Sequence, residues 1–128
     1  MGYPGRDLMN LLTVELERSD LTEVQCLKIR FRRDKLEEAV RWVHSLKERR
    51  QEVIKLLKAE GIQLESLFLE RVGQDVYLYQ YVRANSLEEA YEAFMKSQLP
   101  ISVETRQFID EMWEGGQNLE LVADFEVL

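Results

Sequence analysis

Apolar and polar side chains alternate along four stretches of the chain, and this period of two predicts four β-strands. The stretches are residues 24–31, 62–69, 76–83 and 119–127. In the last of them, one face is apolar and the other is mostly acidic. A short turn around Gly73 separates the second and third stretches, so we expect these two strands to form a hairpin.

A period near 3.6 residues predicts a long helix between the first two strands, from about residue 34 to a stop at Gly61. Asp34 and Glu37 have the spacing of a capping box at its start. A helix of this length would extend about 40 Å, which is long beside a small sheet. We therefore expect it to kink or overhang near residues 47–51, where charged side chains dominate.

Two further helices are predicted after the third strand. Ser86 and Glu89 form a capping box that opens a helix through Lys96. Its inward side chains are expected to be Ala90, Tyr91 and Phe94. Pro100 is expected to end this element. The last helix spans about residues 103–113 and is expected to break at the two glycines that follow.

The resulting order, β-α-β-β-α-(α)-β, predicts an α+β fold of the ferredoxin-like βαββαβ type. Right-handed crossovers place the first and third strands in the middle of a four-stranded antiparallel sheet, with the helices on one face. Residues 22–128 form this domain. We interpret residues 1–21 as a separate N-terminal arm, for which a helix and a strand are both compatible with the pattern.

The third strand has two unlike faces, one aliphatic apart from Gln80 and one aromatic. The aliphatic side chains are Val76, Leu78 and Val82, and the aromatic ones are Tyr77, Tyr79 and Tyr81. If the aliphatic face packs on the helices, the tyrosines share the open face of the sheet with Lys28 and Arg30. Because the first and last strands are neighbours, Asp124 and Glu126 are expected to pair with these two cations.

Three tyrosines on one face are a large surface for a monomer to leave uncovered, since each buries roughly 150–250 Å² when covered. We expect a second copy of the chain to cover them, giving a homodimer. The space between two such sheets would suit a small-molecule ligand. The candidate ligand-binding residues are Lys28, Arg30, Tyr77, Tyr79, Tyr81 and Asp124. Structural ion pairs and interface packing are the alternative interpretation of this set.

Charge and composition narrow the classes of partner. The formal net charge of −7, from 24 acidic and 17 basic residues, argues against nucleic acid and against anionic membrane surfaces. No apolar run is long enough to span a bilayer, and the first residues do not have the pattern of a signal peptide. The single cysteine, Cys26, suits a reducing compartment, so a cytoplasmic location is predicted.

Motifs for known chemistries were not found. His44 is the only histidine, and its spacing predicts a solvated position on the long helix, so a metal site is not expected. No nucleotide-binding, catalytic-triad or metalloprotease pattern occurs, so no cofactor is expected and the catalytic residues, if any, stay unassigned.

From Gln25 to Phe125 the sequence resembles the dimeric α/β-barrel group of ferredoxin-like proteins. The resemblance rests on LKIRF before the long helix, EGIQLESLFLE, VYLYQYVRANSLEEA, and FIDEMWE with LELVADFEV. It is strongest to a bacterial family of unknown function and more distant to rhamnose mutarotases and small cofactor-free monooxygenases. The resemblance implies a homodimer. Three functions stay open: a small-molecule-binding protein, an enzyme of mutarotase or monooxygenase type using Arg30, Tyr79 and Asp124, and a structural or regulatory dimer.

Overall fold

The computed structural model describes residues 21–127. The strands are β1 Glu23–Phe31, β2 Ile62–Val72, β3 Asp75–Ala84 and β4 Trp113–Asn118, and the helices are α1 Leu36–Ser45, α2 Arg50–Glu60, α3 Leu87–Lys96 and α4 Pro100–Met112. Short 3-10 turns at Arg33–Lys35 and Leu46–Arg49 precede α1 and α2. The predicted N-terminal arm, apart from Leu21, lies outside the described residues.

The four strands form one antiparallel sheet in the order β2-β3-β1-β4. This confirms the predicted α+β class and the central position of the first and third strands, and the order fits a ferredoxin-like sheet in outline. β2 and β3 form the predicted hairpin, with Val72 opposite Asp75. Gly73 in the turn has a φ of 58°, which a glycine adopts without steric cost.

The core lies between the helices and one face of the sheet, which we call the inner face. Ile29 and Phe31 of β1 are fully buried there. The Phe108 ring of α4 lies edge-on to Phe31, with 5.8 Å between ring centroids, and stacks on Trp42 of α1 at 4.1 Å. The aliphatic residues of β3 are buried on the same face, namely Val76, Leu78 and Val82. The predicted facing of β3 is therefore confirmed.

The predicted long helix is interrupted near its charged stretch, as expected from the sequence. α1 ends at Ser45, four residues form the 3-10 turn Leu46–Arg49, and α2 then continues to Glu60. Gly61, with a φ of 73°, caps α2 in the left-handed conformation expected of a helix stop. The capping box at Asp34 is wrong. Asp34 lies in the preceding 3-10 turn, where its carboxylate accepts hydrogen bonds from Arg32, and α1 begins without a side-chain cap.

The Ser86 cap of α3 is confirmed, because its hydroxyl oxygen accepts a hydrogen bond from the Glu89 amide at 3.2 Å. Ala90 is buried and Phe94 is half-buried, as expected from the pattern. Tyr91, by contrast, is 64% exposed. The prediction that it faces inward is wrong, because its side chain lies at the rim of the helical layer.

The C-terminal third differs most from the prediction. Pro100 begins α4 instead of ending an element, since the first position of a helix needs no amide donor. α4 ends at Met112, and the two glycines expected to break it lie inside β4, where Gly116 is opposite Ile29. The predicted strand 119–127 is wrong: the Leu119 amide donates to the Cys26 carbonyl at 2.9 Å, and the ladder then ends.

The physical reason is that β4 already occupies the sheet edge beside β1. The alternating apolar residues of segment 119–127, which we call the tail, therefore have no strand to pair with beyond Leu119. From Leu121 onward their side chains are exposed, Leu121 by 59% and Phe125 by 91%. The expectation that the apolar face of this segment joins the helical core is wrong for the same reason.

Candidate functional site

The second face of the sheet carries five of the six residues proposed to bind a ligand, and we call it the open face. The register of β1 and β3 pairs Lys28 with Tyr79 and Arg30 with Tyr77. Tyr81 lies two residues beyond Tyr79, opposite Cys26. These side chains share one face because residues two apart in a strand point the same way.

Lys28 is the centre of a small polar network on this face. Its ammonium nitrogen lies 4.5 Å from the centroid of the Tyr77 ring and 5.7 Å from that of Tyr79, within the range of cation–π attraction. The Tyr79 hydroxyl donates a hydrogen bond to Glu70 Oε1 at 2.7 Å. The hydrogen bond with Tyr79 raises the pKa of Lys28, and the hydrogen bond with Glu70 raises the pKa of Tyr79.

Both shifts keep the protonated forms at neutral pH. The network therefore presents a fixed ammonium group and a neutral phenol, and neither is prepared to remove a proton from a substrate. What the arrangement can do is bind a polar or anionic group beside two aromatic rings.

Asp124, the sixth proposed residue, does not join Lys28 and Arg30. Its carboxylate receives two hydrogen bonds from Arg83, at 2.6 Å and 3.2 Å, at the other end of the open face. Glu126 also lies near Arg83, at 3.4 Å. Arg30 instead lies 3.7 Å from Glu114 of β4. The predicted cross-strand pairs are wrong because the tail does not pair with β1 beyond Leu119, and its carboxylates lie at Arg83 of β3 instead.

Arg83 thus holds the tail against the sheet. Its guanidinium also donates to the Thr22 hydroxyl at 2.7 Å, and that hydroxyl donates to Glu126 at 3.1 Å. The Arg83 side chain is only 14% exposed. The hydrogen bond with Asp124 raises the pKa of Arg83, so the guanidinium group keeps its charge at this contact.

The apolar surface of the open face lies beside the tyrosines and not on them. Each of the three tyrosines is half-buried among its neighbours. Tyr77, Tyr79 and Tyr81 therefore do not form the uncovered patch that the sequence predicted. The exposed apolar side chains belong to the edge strand β2: Phe68 by 60%, Val72 by 51% and Leu64 by 44%. Phe68 is the direct neighbour of Tyr79.

A shallow concavity at the end of β1 holds several guanidinium groups. It is lined by Arg30, Arg32, Arg33, Asp34, Trp113 and Glu114. Each guanidinium already lies at a carboxylate: Arg32 at Asp34 and Arg33 at Asp75, in addition to the pair of Arg30 described above. The concavity therefore has little positive charge left for an anion.

The sequence interpretation missed a polar cluster on the inner face. Gln80, the one exception to the aliphatic face of β3, donates from Nε2 to Glu65 Oε2 at 2.7 Å. Glu65 of β2 and Gln25 of β1 both lie opposite Val82, one on each side of β3. These polar side chains come from three adjacent strands and lie on the face of the sheet that the helices cover. The available signal was Gln80 itself, a polar residue at an inward position.

The structure also gives the positions of two single residues. His44 is exposed on α1, as its spacing predicted, and Cys26 is half-buried on β1. Over residues 21–127, no group of three or more histidine, cysteine, aspartate or glutamate side chains is arranged to hold a metal ion. Within the same residues, no helix has the length and apolarity needed to cross a membrane.

Residues 22–128 match the model of DUF6176, a family of unknown function. The chain belongs to this family. The DUF6176 match covers all four strands, all four described helices and the tail, so both faces of the sheet lie within the family domain. No curated protein matches the sequence.

Proposed function

We propose that this protein is a homodimer that binds a small polar molecule between two sheets, with the open face of each copy covered by the other. The observation that supports the dimer is the exposed apolar strip of β2, formed by Phe68, Val72 and Leu64. Large apolar side chains grouped on one side of a sheet are typical of an interaction surface.

A second copy is the partner that suits this face because the face bears both signs of charge. Lys28 and Arg30 lie on β1, and Glu70 lies two strands away on β2. A twofold axis running along β3 sets β1 of one copy over β2 of the other, and each cationic strand then faces an acidic and apolar one. A self-complementary patch of this kind is what a symmetric dimer requires.

The ligand position follows from Lys28. Its ammonium group lies over the Tyr77 and Tyr79 rings, and covering the face would reduce its contact with water and strengthen its attraction for an anion. Short organic acids are therefore the first class to test. The proposal includes a cytoplasmic location, which the single cysteine of the chain supports.

The dimer is tested by a matched pair of charge insertions. Phe68→Glu puts a carboxylate into the strip, whereas Val103→Glu puts one on an exposed apolar position of α4, which is 44% exposed. In sedimentation equilibrium, we expect Phe68→Glu to weaken dimerisation at least about tenfold, and Val103→Glu to leave it unchanged. Equal behaviour of the two variants would contradict the proposed interface.

The ligand site is tested by thermal shift with sugars, short organic acids and aromatic metabolites, since binding to the folded state alone raises the unfolding temperature. A compound that stabilises the wild type should stabilise Tyr79→Phe less, because this variant loses the hydroxyl that bonds Glu70 and orients Lys28. The Tyr79→Phe protein should remain a dimer. An unchanged shift would remove Tyr79 from the site.

A further inference from the structure

A cavity of about 480 Å³ lies on the inner side of the sheet, beneath the helices. It is separate from the open face, since the residues that line it come from the inner face and from all four helices. Most of its wall is apolar, including Trp42, Leu46, Val53, Phe94, Met95 and Ile109. Its size is in the range of small-ligand sites, which is about 300–1,000 Å³.

One group of polar side chains on the cavity wall contains two carboxyl groups. Glu60 from the end of α2 and Glu65 from β2 both line it, together with Gln25 and Gln80. Glu60 is only 9% exposed, and within residues 21–127 its carboxyl takes part in none of the side-chain hydrogen bonds or salt bridges. The Glu60 oxygens are not among the fully enclosed polar atoms without a partner, so they keep some contact with the cavity. A largely buried carboxyl group with no protein donor favours a ligand or a proton at that contact.

Burial and the neighbouring Glu65 raise the pKa of Glu60 to about 7. Burial also raises the pKa of Glu65, against the opposing effect of the hydrogen bond from Gln80. Glu65 is half-buried and is one of the residues that line the cavity. Two carboxyl groups that repel each other at the floor of an apolar space favour a cation between them.

The other ionisable groups on the cavity wall do not supply that cation. Arg106 of α4 is held at the wall by a hydrogen bond to the Phe94 carbonyl at 2.7 Å, with its guanidinium carbon 5.8 Å from the centroid of the Phe94 ring. Asp110 of α4 adds a further acidic group, and Tyr91 of α3 adds a phenol at the exposed rim. The net charge of the lining is negative when the carboxyl groups are ionised.

We propose that this cavity binds a small apolar amine in its protonated form, with the ammonium group between the carboxylates of Glu60 and Glu65 and the hydrocarbon part against the aromatic and aliphatic wall. An ammonium group brings three donors and a positive charge to two carboxyl groups, of which Glu65 has one donor in Gln80 and Glu60 has none within residues 21–127. A neutral alcohol brings one donor and no charge, and an anion would be repelled. The apolar part is bound by burial against the wall.

The ionisation of the carboxyl groups makes amine binding depend on pH, with tighter binding at the higher pH. Near pH 5 Glu60 holds a proton, since its pKa is about 7, so an incoming ammonium has to displace that proton. At pH 8 Glu60 is ionised, since that is above its pKa of about 7, and no proton has to leave it. A simple alkylamine, with a pKa near 10, stays protonated across this range. Affinity therefore rises from pH 5 to pH 8, with release of a proton at intermediate pH.

The test compares hexylamine with 1-hexanol, which has the same hydrocarbon chain and no charge, by titration calorimetry at pH 8 and pH 5. We expect hexylamine to bind the wild type at least about tenfold more tightly than 1-hexanol at pH 8, and the advantage to shrink at pH 5. Glu60→Gln and Glu65→Gln should each lose about tenfold for hexylamine at pH 8 and keep their affinity for 1-hexanol. Glu92→Gln, an exposed change on α3, should match the wild type.

Binding of 1-hexanol checks that each glutamine variant is folded, so a loss limited to hexylamine cannot come from unfolding. Amide chemical-shift changes at Val53, Ala90 and Ile109 should accompany binding, because these residues line the cavity. Equal affinity of the wild type for hexylamine and 1-hexanol, or unchanged hexylamine affinity in both glutamine variants, would overturn the proposal. Shift changes confined to the open face would overturn it as well. None of these results depends on whether the chain is a dimer.

Discussion

The buried carboxyl group of Glu60 should make the protein less stable as the pH rises. Its pKa is raised from 4.5 to about 7 in the folded state, which corresponds to about 3 kcal/mol of preference for the protonated form. Solvent that enters the cavity screens part of this, so we expect about 2 kcal/mol. Between pH 4.5 and 7 the folded chain keeps a proton that the unfolded chain has lost, and the free energy of unfolding therefore falls over this interval.

Glu60→Gln removes the ionisation and leaves the size of the side chain nearly unchanged. Urea unfolding, followed by the fluorescence of the two tryptophans at a fixed protein concentration, should give equal stability for wild type and variant at pH 4. At pH 8 the variant should be more stable by about 2 kcal/mol. Glu92→Gln provides the control for an exposed carboxylate and should follow the wild type. A wild-type pH profile that Glu60→Gln leaves unaltered would refute the reasoning.

Two further changes test the core and the tail. Phe108→Ala removes a ring that stacks on Trp42 and meets Phe31 edge-on, so the free energy of unfolding in urea should fall by about 3–5 kcal/mol; a loss below about 1 kcal/mol would contradict its core position. Asp124→Asn removes the charged acceptor of Arg83, and hydrogen exchange of the Leu119 amide, which donates to the Cys26 carbonyl where the tail begins, should then become roughly tenfold faster. Unchanged exchange rates would show that another contact holds the tail.

The sequence predicted the sheet well because period-two alternation and turn residues act locally. The facing of β3 followed from its aliphatic and aromatic sets, and the interruption at Leu46–Arg49 followed from a charged stretch inside an overlong helix. In each case the pattern needed no knowledge of distant neighbours. The same reasoning set the tyrosines beside Lys28 and Arg30, which the register of β1 and β3 confirms.

The sequence failed where two segments compete for one position in the sheet. Segment 119–127 alternates better than Trp113–Asn118, yet the shorter segment pairs with β1 because α4 delivers it directly to that edge. Alternation shows that a segment can form a strand, but it does not show which of two such segments pairs with the free edge of the sheet. Asp124 was misplaced by the same error, since its partner Arg83 is distant in sequence.

The inner polar cluster shows a second limit of pattern reasoning. Gln80 was visible as an exception on an aliphatic face, but its partner Glu65 is on another strand and the nearby Glu60 is on a helix. Only the hairpin register and the course of α2 bring these groups to one cavity. A polar residue at an inward position is thus a useful signal, although its meaning depends on the tertiary fold.

The proposed dimer is tested most directly by the mass of the unaltered chain in solution. If two copies cover the apolar strip of β2 as proposed, sedimentation equilibrium at micromolar concentration should give twice 15.2 kDa. A mass of 15.2 kDa at every micromolar concentration tested would contradict the proposed dimer and, with it, the proposed ligand site between two sheets.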